Sequence, residues 1–163
     1  MVRTLNRVTA RSLHPRQVQV WMVGWGLTAA VLVGLVGAVE VALRVTGDPP
    51  WPSGLPTVGV ALVAGVLVWR FPRAAYRRWR YELAETTLEL RRGVVVHTET
   101  AIPYFRVQHI DITRSPVERA LGLSQLVVRT AAASTDATIP GIAAGDAEEL
   151  RDVILARTGR DDV

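Results

Sequence analysis

The sequence predicts two membrane-spanning helices followed by a mainly β domain that ends in a helix. Three observations carry this prediction: two long uncharged apolar stretches, a change near residue 80 to short alternating segments, and capping residues that mark helices late in the chain. Apolar residues make up 49% and charged residues 21% of the 163 residues, which excludes a disordered chain. The chain has no cysteine, which excludes disulfides, a thiolate metal site and a cysteine nucleophile.

The two apolar stretches are long enough to cross a membrane. Residues 20–39 are uncharged and, at about 1.5 Å per residue, reach about 30 Å, the thickness of a hydrocarbon core. Residues 51–69 form a second uncharged stretch after a short, proline-rich polar turn. Tryptophans lie near the ends of both stretches, as they do at membrane interfaces. A buried hairpin of a soluble protein and a cleaved signal peptide fit these lengths less well.

The distribution of arginine predicts the orientation. Four arginines precede the first span, five lie within residues 70–80 after the second, and the loop between the spans has only Arg44. The positive-inside rule therefore predicts a multi-pass protein of the cell (plasma) membrane with both termini in the cytoplasm. Residues 93–163 carry a net charge of −3, so the overall charge of +4 does not indicate nucleic-acid binding.

Small residues recur at every fourth position in both spans. Such a stripe lets two helix backbones approach closely in lipid, where the hydrophobic effect does not drive helix association. Packing within the hairpin and self-association of two copies are the two uses that we consider. The residues predicted to pack helices are Ala30, Gly34, Ala38, Ala61 and Gly65.

After residue 80, apolar and polar residues alternate over short segments, which predicts strands of a half-buried, mostly antiparallel sheet. Val107 is out of phase with Ile110 and Ile112, and a β-bulge between them would reconcile the two phases. The predicted strand segments are 80–83, 88–91, 94–96, 110–113 and 126–130.

Two helices are predicted from their first residues. Ser115 and Glu118 flank a proline and form a capping box, and Gly122 ends that short helix. A second helix starts at Asp146 and ends near Gly159. Its apolar face would close the open end of the sheet and consists of Leu150, Val153 and Ile154.

Several motifs resemble the bacterial pleckstrin-homology-like (YdbS-like) membrane protein family. They are WRYEL at 79–83, LELRRG at 88–93, IPYFRVQHIDI at 102–112, SPVERALGL at 115–123 and IPGI at 139–142. The resemblance implies a membrane hairpin and a PH-like domain, a bent β-sandwich or barrel of about seven strands capped by a C-terminal helix. It also implies no enzymatic activity. The predicted organisation is a cytoplasmic arginine-rich N-terminus (1–17), a transmembrane hairpin (18–70), a basic juxtamembrane linker (71–80) and the PH-like domain (81–163).

No sequence motif indicates an enzyme. A glycine-rich phosphate loop, a serine elbow and a dinucleotide fingerprint are all missing from the sequence. His109 and Asp111 share one side of a strand, a spacing that any polar outer face produces, so we expect no metal site. We likewise expect no catalytic residue, no cofactor and no small-molecule substrate.

The predicted function is therefore interaction, for which the candidate residues are Tyr104, Arg106, Arg114 and Arg119. The alternative for these arginines is pairing on the surface with Glu99, Asp111 and Glu118. Of the adjacent Tyr104 and Phe105, only one would point inward on a strand.

The predicted partners are the lipid bilayer and either a related PH-like membrane protein or a second copy of the chain. The alternative function is binding of anionic lipid head groups. The arginines expected at the membrane surface are Arg73, Arg77, Arg78, Arg91 and Arg92. The first hairpin, at residues 84–87, is acidic or uncharged, which argues against recognition of inositol phosphates there.

Overall fold

The computed structural model describes residues 11–47, 49–131 and 136–158. The chain divides into two compact units. Residues 18–74 form a helical unit, and the stretches on both sides of it form a β unit. Two of the four arginines before the first span, Arg3 and Arg7, lie outside the described ranges, as does Gly159, the predicted end of the last helix.

The helical unit consists mainly of two long helices, α1 (Gln17–Thr46) and α2 (Leu55–Arg78). Both are long and apolar enough to cross a membrane. Only 6% of the apolar window of α1 and 11% of that of α2 are buried by protein, so neither is the core helix of a soluble fold. Helix α2 continues without a break through most of the segment predicted as a linker, and includes Pro72.

Contacts at both ends of the helical unit make α1 and α2 an antiparallel pair. The rings of Trp25 and Phe71 lie 4.8 Å apart at one end. At the other end, Glu40 accepts a hydrogen bond from the Thr57 hydroxyl (2.7 Å) and one from the Gly54 amide, which caps the start of α2. Arg44 donates to the Trp51 carbonyl oxygen (2.8 Å) and holds the connecting turn.

The small-residue stripe does not provide these contacts. Its five predicted residues are exposed, and a Cβ at Gly34 or Gly65 would meet nothing within 4 Å outside its own helix backbone. Gly37 lies in the face that α1 turns towards α2, since a Cβ there would be 3.7 Å from the Thr57 methyl group. Because α1 faces α2 along positions that include Gly37 and Glu40, the stripe lies off the contact. Its use between two copies remains a prediction.

We expect Gly37→Leu to destabilise the helical pair by about 1–2 kcal/mol, because the added side chain must displace Thr57, which holds Glu40. Gly34→Leu, the same change one turn away, meets open space and should cost much less. Thermal unfolding of the full-length variants in mild detergent measures both. Equal losses would show that Gly34 also packs against protein, as it would in a self-associated form.

The β unit contains two three-stranded antiparallel sheets. The first has the order β1-β2-β3 and the second the order β4-β5-β6. Tyr81 pairs with Leu90 and Leu88 with Ile102 in the first sheet, and Leu126 pairs with Ile139 in the second. The strands are β1 (Arg80–Leu83), β2 (Thr87–Arg92), β3 (Thr98–Pro103), β4 (Val107–Thr113), β5 (Leu123–Thr130) and β6 (Ala137–Ala143). The buried side chains of the two sheets include Leu88, Leu90, Ile102, Leu126, Val128 and Ile139.

The predicted β-bulge is confirmed, because the register between β4 and β5 shifts between Val107 and His109. Two expectations are corrected. Residues 94–96, predicted as a strand, form a turn between β2 and β3. The described ranges contain six strands where about seven were expected, and their two open sheets do not form the barrel that was one of the two expected forms.

Two short helices complete the β unit, α3 (Pro116–Ala120) and α4 (Asp146–Thr158). The capping box of α3 is confirmed, since the Ser115 hydroxyl accepts from the Glu118 amide (3.3 Å) and the Glu118 carboxylate from the Ser115 amide (2.8 Å). Helix α4 packs on β4, β5, β6 and the turn before β4. Its buried residues are Ala147, Leu150 and Ile154, while Val153 is half-buried. Helix α4 therefore closes the core, as predicted.

The segment before α1 is part of the β unit. Arg11 exchanges two backbone hydrogen bonds with Tyr81 at the edge of β1 (2.8 and 3.1 Å). The His14 amide donates to the Gly141 carbonyl oxygen in β6 (2.8 Å), so the segment bridges one strand of each sheet. Leu13 is buried, and its carbonyl oxygen accepts from the Tyr76 hydroxyl (3.0 Å). Hydrophobic burial and backbone pairing together hold this segment.

Candidate functional site

The strongest candidate for an interaction surface lies between the two sheets, where a single 3-10 turn, Tyr104–Arg106, joins β3 to β4. The turn begins after Pro103, which has extended backbone geometry, and α4 packs against it. The chain turns here instead of continuing as a strand, and of the two adjacent aromatic residues Tyr104 is buried and Phe105 is exposed.

Tyr104 is the buried aromatic residue. Its hydroxyl donates to the Ala84 carbonyl oxygen (3.1 Å), and Arg157 from α4 donates to the Tyr104 hydroxyl (3.1 Å) and to the Leu83 carbonyl oxygen (3.0 Å). Burial raises the pKa of the Tyr104 phenol, and the hydrogen bond and charge of Arg157 oppose part of the rise. Tyr104 was predicted as a contact residue, but its complete burial makes it a core residue.

Phe105 is the exposed aromatic residue, with 62% of its surface accessible. The guanidinium of Arg106 lies 5.7 Å from the centre of the Phe105 ring, in cation–π geometry. Among the described residues, Arg106 has no carboxylate or hydrogen-bond partner. We call Phe105 and Arg106 the aromatic corner.

The carboxylates that were considered as partners for the predicted arginines are engaged elsewhere. Asp111 pairs with Arg129 (3.0 Å) and Glu99 lies 3.7 Å from Arg91. Glu118 caps α3 and is buried.

Arg114 and Arg119, the other two predicted interaction residues, line a shallow depression beside the half-buried face of β4. Arg114 is held in place, donating to the Ser124 hydroxyl (2.8 Å) and to the Ala144 carbonyl oxygen (3.3 Å). The guanidinium of Arg119 has no polar partner within the described part of the chain. The full lining of the depression is Ile110, Ile112, Arg114, Arg119, Glu148 and Arg151. Phe105 and Arg106 do not line this depression, so the structure does not place the predicted interaction residues in one site.

The arginines predicted at the membrane surface differ in how far they are engaged. Arg73 lies 5.1 Å from the centre of the Trp69 ring and donates to the Trp69 carbonyl oxygen (2.7 Å). Arg78 donates to the Val94 carbonyl oxygen (2.5 Å), and Arg91 makes only long contacts with Glu89 (3.9 Å) and Glu99. Within the described ranges, the side chains of the exposed Arg77 and Arg92 have no polar partner.

A cleft of about 680 Å³ lies between the segment before α1, strand β1 and helix α4. Its apolar lining includes Leu83, Leu150 and Val153, and its rim mixes both charges, Arg11 and Arg157 with Glu85, Asp146 and Glu149. No group of three or more metal-ligating side chains occurs among the residues that the structure describes. The cleft therefore has no concentration of one charge that would indicate a ligand.

Sequence reasoning missed two features of these surfaces. The choice between Tyr104 and Phe105 depends on the 3-10 turn, which strand alternation does not predict. The valines of residues 94–96, two of which are exposed, were assigned to a strand because β-branched residues favour strands. Gly93, directly before them, was the signal for a turn, since it has a φ of 121° that other residues rarely adopt.

Comparison with known proteins agrees with this architecture. The family model described as "Bacterial PH domain" matches residues 28–158. The UPF0699 transmembrane protein YdbS of Bacillus subtilis (strain 168) is 33% identical over 155 residues, which cover 93% of this chain and 95% of that protein. No solved structure matches the chain. The family model covers most of the chain, and the similarity to YdbS covers nearly all of it. The chain therefore belongs to the bacterial PH domain family and is a YdbS-like membrane protein.

Proposed function

We propose that this protein is a non-enzymatic module, anchored in the cell membrane, whose PH-like domain assembles with another membrane protein at the cytoplasmic face. The aromatic corner is the observation that carries the proposal. Phe105 is the only aromatic residue among the exposed large apolar residues described in the β unit. Aromatic and arginine side chains are enriched among the residues that contribute most to binding energy in protein interfaces.

Two features support a cytoplasmic location for the domain. The arginines on both sides of the helical pair favour the cytoplasm under the positive-inside rule. Arg11 before α1 pairs with Tyr81 after α2, which supports placing both ends of the helical pair on one side of the membrane. Two spans place both ends on one side.

A reporter that is active only outside the cytoplasm should be silent when fused after Val163 and active when inserted at Pro50. The reverse pattern would refute the cytoplasmic location of both termini.

The proposed mechanism is tethering. Two membrane helices confine the domain to a thin layer beside the bilayer, which raises its effective concentration towards any partner anchored in the same membrane. A weak surface such as the aromatic corner is then sufficient for assembly. The proposed partner is a related PH-like membrane protein or a second copy of this chain.

The test compares full-length variants purified in mild detergent after crosslinking in cell membranes. We expect wild type to form a discrete crosslinked product, with itself or with one membrane protein, and Phe105→Ala or Arg106→Ala to reduce that product several-fold, as loss of a residue central to binding does. Leu155→Ala, a change at another exposed apolar residue of the β unit, is the matched control and should leave the product unchanged. A product of equal yield in all variants would refute the role of the corner.

The alternative function, recognition of anionic lipid head groups, is favoured by a different observation. Arg77 and Arg92 are exposed and have no polar partner among the described residues, so both are available to phosphates. If lipid binding is the main function, loss of these two arginines should impair the protein in cells while Phe105→Ala should not.

A further inference from the structure

The turn between β2 and β3, residues 93–97, presents two valines that nothing in the described fold covers. Val95 has 84% and Val96 74% of its surface exposed, the highest values among the large apolar residues of the β unit. Two adjacent β-branched residues at the tip of a turn are unusual, since such residues favour strands and buried positions. We call residues 93–97 the valine turn.

The backbone holds these valines outward. Gly93 has a φ of 121°, and a Cβ at this position would lie 1.8 Å from the Val96 carbonyl oxygen. The backbone therefore folds back on itself so tightly that only glycine fits. Because the turn is closed by its own backbone, Val95 and Val96 at its tip point away from the sheet, as their exposure shows.

Arginines surround the valine turn. Arg91 and Arg92 end the strand that leads into it, and Arg78 donates a hydrogen bond to the Val94 carbonyl oxygen. The ion pairs of Arg91 are long and exposed, so they hold it weakly. An apolar tip with a basic rim is the pattern of a surface that enters the interface of an anionic bilayer.

The covalent chain keeps this surface close to the lipid. Helix α2 runs unbroken from Trp69, at the end of the predicted span, to Arg78. The nine residue steps from Trp69 to Arg78 correspond to about 14 Å along the helix axis, so only a short length of chain separates the end of the predicted span from the residue that is bonded to the turn.

We propose that the valine turn is a membrane-contacting element, in which Val95 and Val96 enter the interfacial region of an anionic bilayer and Arg92, with Arg77 and Arg78, contacts lipid phosphates. The first hairpin, where Glu85 is the only charged residue, takes no part. The contact is thus a general one, made by apolar insertion and charge, with no head group selected by shape. It does not rest on the assembly proposed above.

A probe placed beside the valines tests insertion in the full-length protein. The chain has no cysteine, so His97→Cys, at an exposed position that leaves both valines intact, gives a single site for an environment-sensitive fluorophore. In vesicles of phosphatidylcholine and phosphatidylglycerol we expect blue-shifted emission and quenching by lipids that carry a nitroxide near the head group. Thr86→Cys, in the exposed turn of the first hairpin, is the matched control and should remain accessible to aqueous iodide.

Two further sets of variants separate the contributions of charge and of apolar insertion. Arg92→Gln should lower about fivefold the ratio of protein whose turn is inserted in the bilayer to protein whose turn is in water. This change corresponds to about 1 kcal/mol for one arginine near an anionic surface. High salt or pure phosphatidylcholine should act in the same direction. Val95→Ser with Val96→Ser should abolish the blue shift, whereas Phe105→Ala should not alter it.

Exposure of the probe to water would overturn the proposal. If the probe at residue 97 is as accessible to iodide as the probe at residue 86, and is not quenched by nitroxide lipids in anionic vesicles, the turn does not enter the bilayer. Probe burial that needs a second protein in the vesicle would assign the turn to a protein partner and would also overturn the proposal. Neither outcome depends on the crosslinking test of the aromatic corner.

Discussion

Leu150→Ala should lower the free energy of unfolding of the β unit by about 2–5 kcal/mol, the range for buried leucines. Leu150 lies in α4 with 4% of its surface exposed, on the same face as the buried Ala147 and Ile154. The smaller side chain would leave a cavity between α4 and the sheets. For a domain of this size the loss corresponds to a fall in Tm of about 10 °C or more, measured by thermal unfolding of the full-length protein in mild detergent.

Leu155→Ala is the matched control, because it makes the same chemical change in the same helix at a position where 47% of the side chain is exposed. We expect a change of about 0.5 kcal/mol or less. If Leu150→Ala unfolded at the same temperature as Leu155→Ala, α4 would be a peripheral element whose apolar face is available to partners. The closure of the core by α4 would then be refuted.

The second large effect is expected at Gly141, in β6. This residue has a φ of 62°, and a Cβ there would lie 2.7 Å from the Cβ of Gln17, the first residue of α1. Gly141→Ala combines an unfavourable left-handed backbone with a clash against a side chain that is itself buried. We expect a loss of about 2–5 kcal/mol in the stability of the β unit.

Gly122→Ala separates the two causes. Gly122 has a similar φ of 70°, but a Cβ there would meet nothing within 4 Å. Its substitution should therefore cost only the backbone term, about 1–2 kcal/mol. The excess at Gly141 measures how tightly the start of α1 is held against β6. Losses of the same size at both glycines would mean that Gln17 moves aside freely, and that the segment before α1 adds little to the fold.

The sequence by itself determined those features that depend on residues close in the chain. The apolar lengths predicted both long helices, since a span of about 30 Å needs about twenty residues. Alternation predicted most strands, the phase change at Val107 predicted the bulge, and Ser115 with Glu118 predicted a capping box that the structure contains. Each is a local rule, because the interacting residues are at most a few positions apart.

Tertiary structure decided which side chains remain available for contacts. The 3-10 turn buries Tyr104 and exposes Phe105, since the Tyr104 hydroxyl bonds to residue 84 and its ring lies under Arg157, fifty-three positions later. Residues 11–17 belong to the β unit because they pair with strands that begin about seventy residues later, or more. Local patterns specify neither contact, since their energy depends on residues that only the folded chain brings together.

The turn at residues 93–97 illustrates the same division. The three consecutive valines after Gly93 have strand propensity, but the backbone of Val96 approaches Gly93 too closely for a strand to continue. The last paired residues of β2 and β3 before the turn are Arg92 and Thr98. The register of that ladder is set by the pairing of Leu88 with Ile102 inside the core. The fold, and not the propensity of the valines, thus left Val95 and Val96 exposed.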